Sequence, residues 1–189
     1  MLPDDQELLD RMIHGDEGAF GALYRLRQGA VYRFALHMTG SVAIAEDVTQ
    51  DTFLELLTVG RRYDAARGTV RSFLFGVARN LVMRRVAREF RRGGDESLEE
   101  SGAGRELLDG SDVLGDLTRR ETIEQVRNAV LSLPLVYREA VVLCDLADMS
   151  YEDASAALDC PVGTVRSRLS RARTMLASKL SCVRGACHV

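Results

Sequence analysis

PVGTVRSRLSRARTML, residues 161–176, is the stretch on which the fold turns. Val165, Leu169 and Ala172, continued by Leu176 and Leu180, recur at helical spacing and mark one apolar face. The opposite face carries Thr164, Ser167, Ser170, Arg171 and Thr174, flanked by Arg166, Arg168 and Arg173. A helix is therefore expected over about 162–180. Ahead of it, Tyr151–Leu158 reads as a short helix opened by Ser150-Tyr151-Glu152-Asp153, which resembles a capping box with Asp at its last position. Asp159-Cys160-Pro161 supplies the turn between them. Two helices joined by a few residues, the second basic and polar outward, form a helix-turn-helix layout whose second helix enters the major groove. Arginine bonds guanine there in a bidentate manner, at ~1–3 kcal/mol of discrimination per good pair. The remaining arginines and Lys179 would neutralise phosphates. A solvated basic helix is the rival reading, but residues 160–189 carry six bases and no acid.

Working outward, a formal net charge of −3 over 189 residues conceals strong segregation. Residues 41–60 hold four acids and no base, and 61–92 hold ten arginines against two acids. Residues 93–117 hold eight acids against one arginine. That last stretch opens at Arg91-Arg92-Gly93-Gly94 and is rich in Gly, Ser, Asp and Glu, so it reads as a linker. The expected architecture is all-α: two small helical domains, 1–92 and 118–181, joined by a flexible acidic linker at 93–117. A tail at 182–189 follows.

In the first domain, helices are expected from about Glu7, over about Phe20–Met38, from Ser41 to about Val59, and from near Thr69. Leu23, Leu26, Val31, Phe34 and Met38 are the expected core of the second, Gly40 ends it, and Ser41 caps the third. Val70, Phe73, Leu74, Val77 and Leu81 predict a buried stripe on the fourth. In the second domain, helices are expected at about 118–131, 135–146, 151–158 and 162–180, with Pro134 at a first helical position.

Two further features carry chemistry. Arg79, Arg84, Arg85, Arg88, Arg91 and Arg92 decorate the fourth helix, with Tyr63, Phe73 and Phe75 near its start. Basic side chains beside rings suit single-stranded DNA, where stacking contributes ~1–3 kcal/mol per base. Phe73 lies on the expected buried stripe, which leaves Phe75 and Tyr63 as the freer rings. On the third helix Asp47, Asp51 and Glu55 stand at successive i, i+4 positions, each like-charge pair costing ~0.2–0.5 kcal/mol. A solvated acidic face and a docking surface for a basic partner both fit.

Other chemistry is thin. His14 and His37 have no evident nucleophile or metal partner, and no Gly-rich phosphate loop is present. No metal site, cofactor or enzymatic activity is expected. Cys144 and Cys160 read as small core residues, while Cys182-x4-Cys187-His188 in the tail is weak as a metal or redox site. No apolar run approaches the ~20 residues of a membrane span. The acidic N-terminus is unlike a signal peptide, so a cytoplasmic location without membrane insertion is expected.

Three motifs, in order, resemble one family. Ala45-Glu46-Asp47-Val48-Thr49-Gln50-Asp51-Thr52-Phe53 resembles the polymerase-binding helix of sigma factors. Arg71 to Asn80, RSFLFGVARN, resembles their promoter-melting helix, and Pro161 to Arg173 resembles the recognition helix of the extracytoplasmic-function group within the sigma-70 family. Many relatives carry Trp where Phe73 stands; this chain has none, although the ring is kept.

The resemblance implies that Asp47, Gln50, Asp51 and Glu55 dock on core RNA polymerase. It implies −10 contacts from Arg61, Tyr63, Arg71, Phe75, Asn80, Arg84 and Arg88, with the loop 61–69 capturing an unpaired base. It implies −35 duplex contacts from Thr164, Arg166, Ser167, Arg168, Ser170, Arg171 and Arg173. An anti-sigma factor is a further implied partner. The competing class is a stand-alone helix-turn-helix regulator, which needs neither the acidic helix nor the second basic block.

Overall fold

Gly40 and Ser41 set the first corner of the fold. Gly40 has φ +74°, a left-handed conformation that releases the chain from the preceding helix. The Ser41 hydroxyl then accepts from the Ile44 amide at 3.3 Å and starts the next helix. The computed structural model describes residues 4–92 and 113–186, and no strand occurs among them. The helices are α1 (Asp5–Ile13), α2 (Glu17–Thr39), α3 (Val42–Val59), α4 (Val70–Arg92), α5 (Val113–Leu131), α6 (Leu135–Val141), α7 (Tyr151–Leu158) and α8 (Val162–Ala186). Short 3-10 turns at Gly60–Arg62 and Ala65–Arg67 join α3 to α4. Most of the expected acidic linker, residues 93–112, and the last residues of the tail, Cys187 and His188 among them, lie outside the described residues.

Several boundaries differ from expectation. The fifth helix begins at Val113 rather than near 118, and α8 runs to Ala186, past the expected end near Leu180. The segment expected as one helix over 135–146 is α-helical only to Val141. It then widens into a π turn at Val142–Leu146, where the Ala147 amide reaches back to the Val142 carbonyl at 2.8 Å. Pro134 caps α6 from outside, and the helix proper begins at Leu135.

Leu23, Val31, Phe34 and Met38 of α2 are buried as their spacing requires, but Leu26 is exposed. On α4 the buried stripe is Val70, Leu74, Phe75, Val77, Ala78 and Val82, with Phe73 and Leu81 only partly covered. The stripe is thus turned away from Phe73 and toward Phe75, which packs edge-to-face on Phe34 with ring centroids 5.3 Å apart.

The buried apolar set runs on from α1–α4 into α6–α8, so the two halves share one core. Small residues permit the approach: a side chain at Gly68 would meet Ala156 Cβ at 2.9 Å, and one at Gly76 would meet the Ala157 carbonyl at 3.5 Å. Arg138 of α6 donates to the carbonyls of Met38, Leu131 and Leu133, binding the C-terminal ends of α2 and α5 where a cation is favoured. Burial pushes its guanidinium below its ordinary value. Gly40 belongs to the same junction, because a Cβ there would meet Leu131 Cδ1 at 2.9 Å. Gly40→Ala is expected to destabilise the chain by about 1–2 kcal/mol, the penalty of a left-handed L-residue. Urea unfolding checks it through a lower midpoint at unchanged slope.

Candidate nucleic-acid and partner interfaces

The outward side of α3 carries Asp47, Gln50 and Asp51, with Glu55 half-buried at its end. Its like charges are relieved from within the chain. Arg85 of α4 donates to Asp47 at 2.9 Å and to Asp51 at 2.7 Å, and Arg84 lies 3.7 Å from Glu55. The bond to Asp51, with that to Asp47, holds the Arg85 guanidinium above its ordinary value. A basic partner is therefore not needed to relieve the ladder, and the carboxylates are held in register rather than free. Beside them lies an apolar feature that sequence reasoning missed. Leu54 and Leu57 are 61% and 53% exposed. A groove of about 360 Å³ runs between Phe20, Tyr24, Gln50, Phe53 and Leu54. The signal was present in Phe53-Leu54-x-Leu56-Leu57, which has more apolar residues than one face of a helix can bury.

The residues expected to meet single-stranded DNA divide into two groups. Arg61, Asn80, Arg84 and Arg88 are exposed on the loop and on α4. Tyr63 and Phe73 pair edge-to-face at 5.7 Å and help to line a cleft of about 700 Å³ with Arg62, Arg67 and Asn80. The Tyr63 hydroxyl donates to the Gly68 carbonyl at 3.2 Å, which fixes the ring across the loop. Phe75 corrects the expectation: at 1% exposure it is core and offers no face to a base, because α2 covers that side of α4. The accessible ring is Phe73. Arg71 is also engaged inward, donating to the Ala147 carbonyl and lying 5.7 Å from the Phe75 ring centre.

On α8, Val165, Leu169 and Ala172 are buried, and this orientation aims Arg166, Ser167, Ser170 and Arg171 at solvent. Thr164 and Arg168 lie at the edges of that face, half-buried. Asp159, at φ +49°, makes the left-handed turn into α8, a conformation that Asp tolerates. The Arg166 guanidinium sits 5.4 Å from the Tyr151 ring centre of α7, a contact that orders it before any ligand arrives. Arg173 is already held by Asp145 of the π turn, at 2.6 and 3.1 Å. Those hydrogen bonds raise its guanidinium above the ordinary value. It presents less charge to DNA than its position suggests.

The two halves meet through carboxylates of the second. Asp153 accepts from Thr69 Oγ1 at 2.8 Å, from Ser72 Oγ at 2.7 Å and from its own cap, Ser150, at 2.9 Å. Burial alone would push this carboxyl up; the three hydroxyls and the charge of Arg71 together hold it below its ordinary value. Its stabilising contribution is present above the ordinary carboxylate range and is lost as pH falls through the lowered folded pKa. Glu139 is fully buried and accepts from Arg79 Nε at 2.7 Å. No spacing in the sequence signals the contacts of Asp153 with Thr69 and Ser72 or of Glu139 with Arg79, which join residues 60 to 84 positions apart.

Comparison with known proteins finds two segments that match family models. Residues 23–92 match the family model described as sigma-70 region 2, and residues 123–176 match sigma-70, region 4. ECF RNA polymerase sigma factor SigC of Mycobacterium tuberculosis is 35% identical over 164 residues, covering 86% of this chain and 83% of the relative. The ECF RNA polymerase sigma-E factor of Haemophilus influenzae is 30% identical over 183 residues, covering 93% and 95%. Among solved structures, CnrH bound to the cytosolic domain of CnrY is similar at a TM-score of 0.70 and 25% identity, covering 94% of this chain and 97% of that one. The sigma factor RpoE bound to the anti-sigma factor NepR, from Bartonella quintana, is similar at 0.65 and 27%, covering 82% and 92%.

Proposed function

The chain belongs to the sigma-70 family, in its extracytoplasmic-function group, and from that premise we propose how its surfaces divide the work of initiation. It is an alternative sigma factor: it binds core RNA polymerase and directs promoter-specific transcription through −10 and −35 recognition. The observation that carries the division is the coexistence in one chain of an exposed helix-turn-helix face and a separate acidic α3 face beside an apolar groove. A stand-alone regulator has no use for the second.

Residues 1–92 act as the polymerase-binding and −10 unit, residues 118–181 as the −35 unit, and residues 93–117 as the connection between them. Asp47, Gln50, Asp51 and Glu55 meet the polymerase, with Leu54 and Leu57 adding apolar contact. The loop 61–69, with Tyr63, Phe73 and Asn80, captures unpaired −10 bases by stacking and hydrogen bonding. Arg166, Ser167, Ser170 and Arg171 read −35 base edges, and Arg168 and Lys179 meet phosphates. The factor supplies no reaction chemistry of its own. Among the described residues no helix is long and apolar enough to cross a membrane, in keeping with work beside the polymerase in the cytoplasm. The sigma factor RpoE of Bartonella quintana was captured with the anti-sigma factor NepR, and a partner of that class regulates this chain.

Run-off transcription tests the assignment. Core polymerase plus this chain, on genomic fragments, is expected to yield discrete transcripts that core alone does not produce. Tight duplex binding by the chain without polymerase, together with no transcript, would instead identify a stand-alone regulator.

A further inference from the structure

Arg166 and Arg173 are both exposed on α8 and fall on one line along it, about 10 Å apart at ~1.5 Å of rise per residue. Tyr151, the first residue of α7, reaches both. Its ring centre lies 5.4 Å from the Arg166 guanidinium carbon. After Asp145, its hydroxyl is among the groups that hold the Arg173 guanidinium above its ordinary value. The ring has little room to turn, because it is half-buried against the core. Its backbone is fixed by the cap one residue earlier, where the Ser150 hydroxyl accepts from the Asp153 amide at 3.0 Å.

Resting on the assignment of α8 to duplex reading, we propose that Tyr151 is a positioning residue for the −35 element. Its ring holds the Arg166 fork at the angle that meets a base-pair edge. Sequence preference at one base pair then depends on a side chain that itself touches no base.

The two arginines are held by different chemistry, and the difference decides what each can still do. Asp145 occupies two N–H groups of Arg173. A ring attracts a guanidinium through its face, so the stacked cation keeps its in-plane N–H donors for another partner. Bidentate bonding to guanine requires that fork to lie in the plane of the base. A long side chain ordinarily gives up its rotamer freedom to reach that geometry. Arg166 has given up part of it already, against a ring that the capped start of α7 keeps in place.

The probe is a duplex that the full chain selects from a random pool, titrated together with its single-base variants. Tyr151→Phe keeps the ring and removes only the hydroxyl. Tyr151→pentafluorophenylalanine keeps the packing shape but removes the negative ring face, so it tests the contact without emptying the site. Tyr151→Leu removes the ring altogether. The fluorinated and Leu variants are expected to lose about two- to fivefold in affinity for the selected duplex, concentrated at one base pair. Tyr151→Phe should keep the wild-type preference. Placed in an Arg166→Ala background, neither the fluorinated nor the Leu change should have a further effect, since the group they position is gone. The salt dependence should not change, because no phosphate contact is lost. Equal weakening on every sequence, or an undiminished loss in the Arg166→Ala background, would overturn the proposal and make Tyr151 a direct contact or a packing residue. Unchanged preference in the fluorinated variant would overturn it too, as would a wild-type chain that enriches no sequence. Failure of the wild type to programme core polymerase would strike the sigma reading alone, since the duplex titration does not depend on transcription.

Discussion

Reversing Asp47, Asp51 and Glu55 to lysine is expected to abolish capture of core polymerase at concentrations where the wild type binds fully, while −35 duplex binding by α8 survives. The acids form a line on α3 that Arg84 and Arg85 hold in place from behind. Their outward lone pairs remain available, and Leu54 and Leu57 give a partner apolar surface beside them. Loss of a desolvated charge pair across an interface costs about 2–5 kcal/mol, and about 3 kcal/mol is roughly 150-fold in affinity.

The internal pairing shapes the experiment. Lysines at 47 and 51 would face Arg85, so the triple reversal also adds repulsion between α3 and α4. Exposed pairs of this kind contribute only about 0.2–1 kcal/mol each, too little to unfold a helix whose other side buries Ala45, Val48, Phe53 and Leu56. Asp47→Asn with Asp51→Asn separates the two effects: it releases Arg85 without reversing charge, and it should weaken capture less. Co-precipitation with core polymerase, paired with a circular dichroism melt, measures both. Capture within about threefold of wild type by a folded triple variant would remove the acidic face from the interface.

What was legible in the sequence was whatever local physics controls. Gly40-Ser41 announced a helix end and a cap, and Val165, Leu169 and Ala172 announced which side of α8 is buried, because both signals are contained within a few residues. Phe73 and Phe75 exchange the places that local spacing gives them. Phe73 falls on the apolar spacing of α4 and Phe75 does not, yet the choice between them is made by α2, whose Phe34 claims Phe75. Leu26 was misassigned for a related reason: its spacing suits a core face that no other helix covers. The pairs Arg85–Asp51, Arg79–Glu139 and Thr69–Asp153 depend on how helices cross, and a sequence carries no local sign of partners so far apart. The acidic ladder is the instructive case, since its repulsion was readable but the internal arginine that answers it was not.

Arg171→Ala and Arg173→Ala are expected to damage DNA binding in different ways, although only Ala172 separates them. Arg171 is exposed on α8, turned away from the buried face of Val165, Leu169 and Ala172, and makes no hydrogen bond or ion pair among the described residues, so its fork is free for a base. Its loss should weaken binding to the preferred −35 sequence by about 1–3 kcal/mol, roughly 5- to 150-fold, and flatten preference at one base pair. Arg173 is held in a two-pronged bond by Asp145, so its charge is already partly answered. Truncating it leaves Asp145 unpaired near the DNA, which should weaken all sequences alike, by several-fold, without altering preference. Adding Asp145→Asn to Arg173→Ala should restore much of that loss, while Asp145→Asn alone should tighten binding to every sequence by freeing Arg173 for a phosphate. Titrations over a panel of single-base −35 variants at two salt concentrations separate these outcomes, because a freed phosphate contact steepens the salt dependence and a base contact does not. If both alanine variants weaken every sequence equally, Arg171 is a phosphate contact, and base reading passes to Arg166, already ordered over Tyr151, with Ser167 and Ser170 beside it.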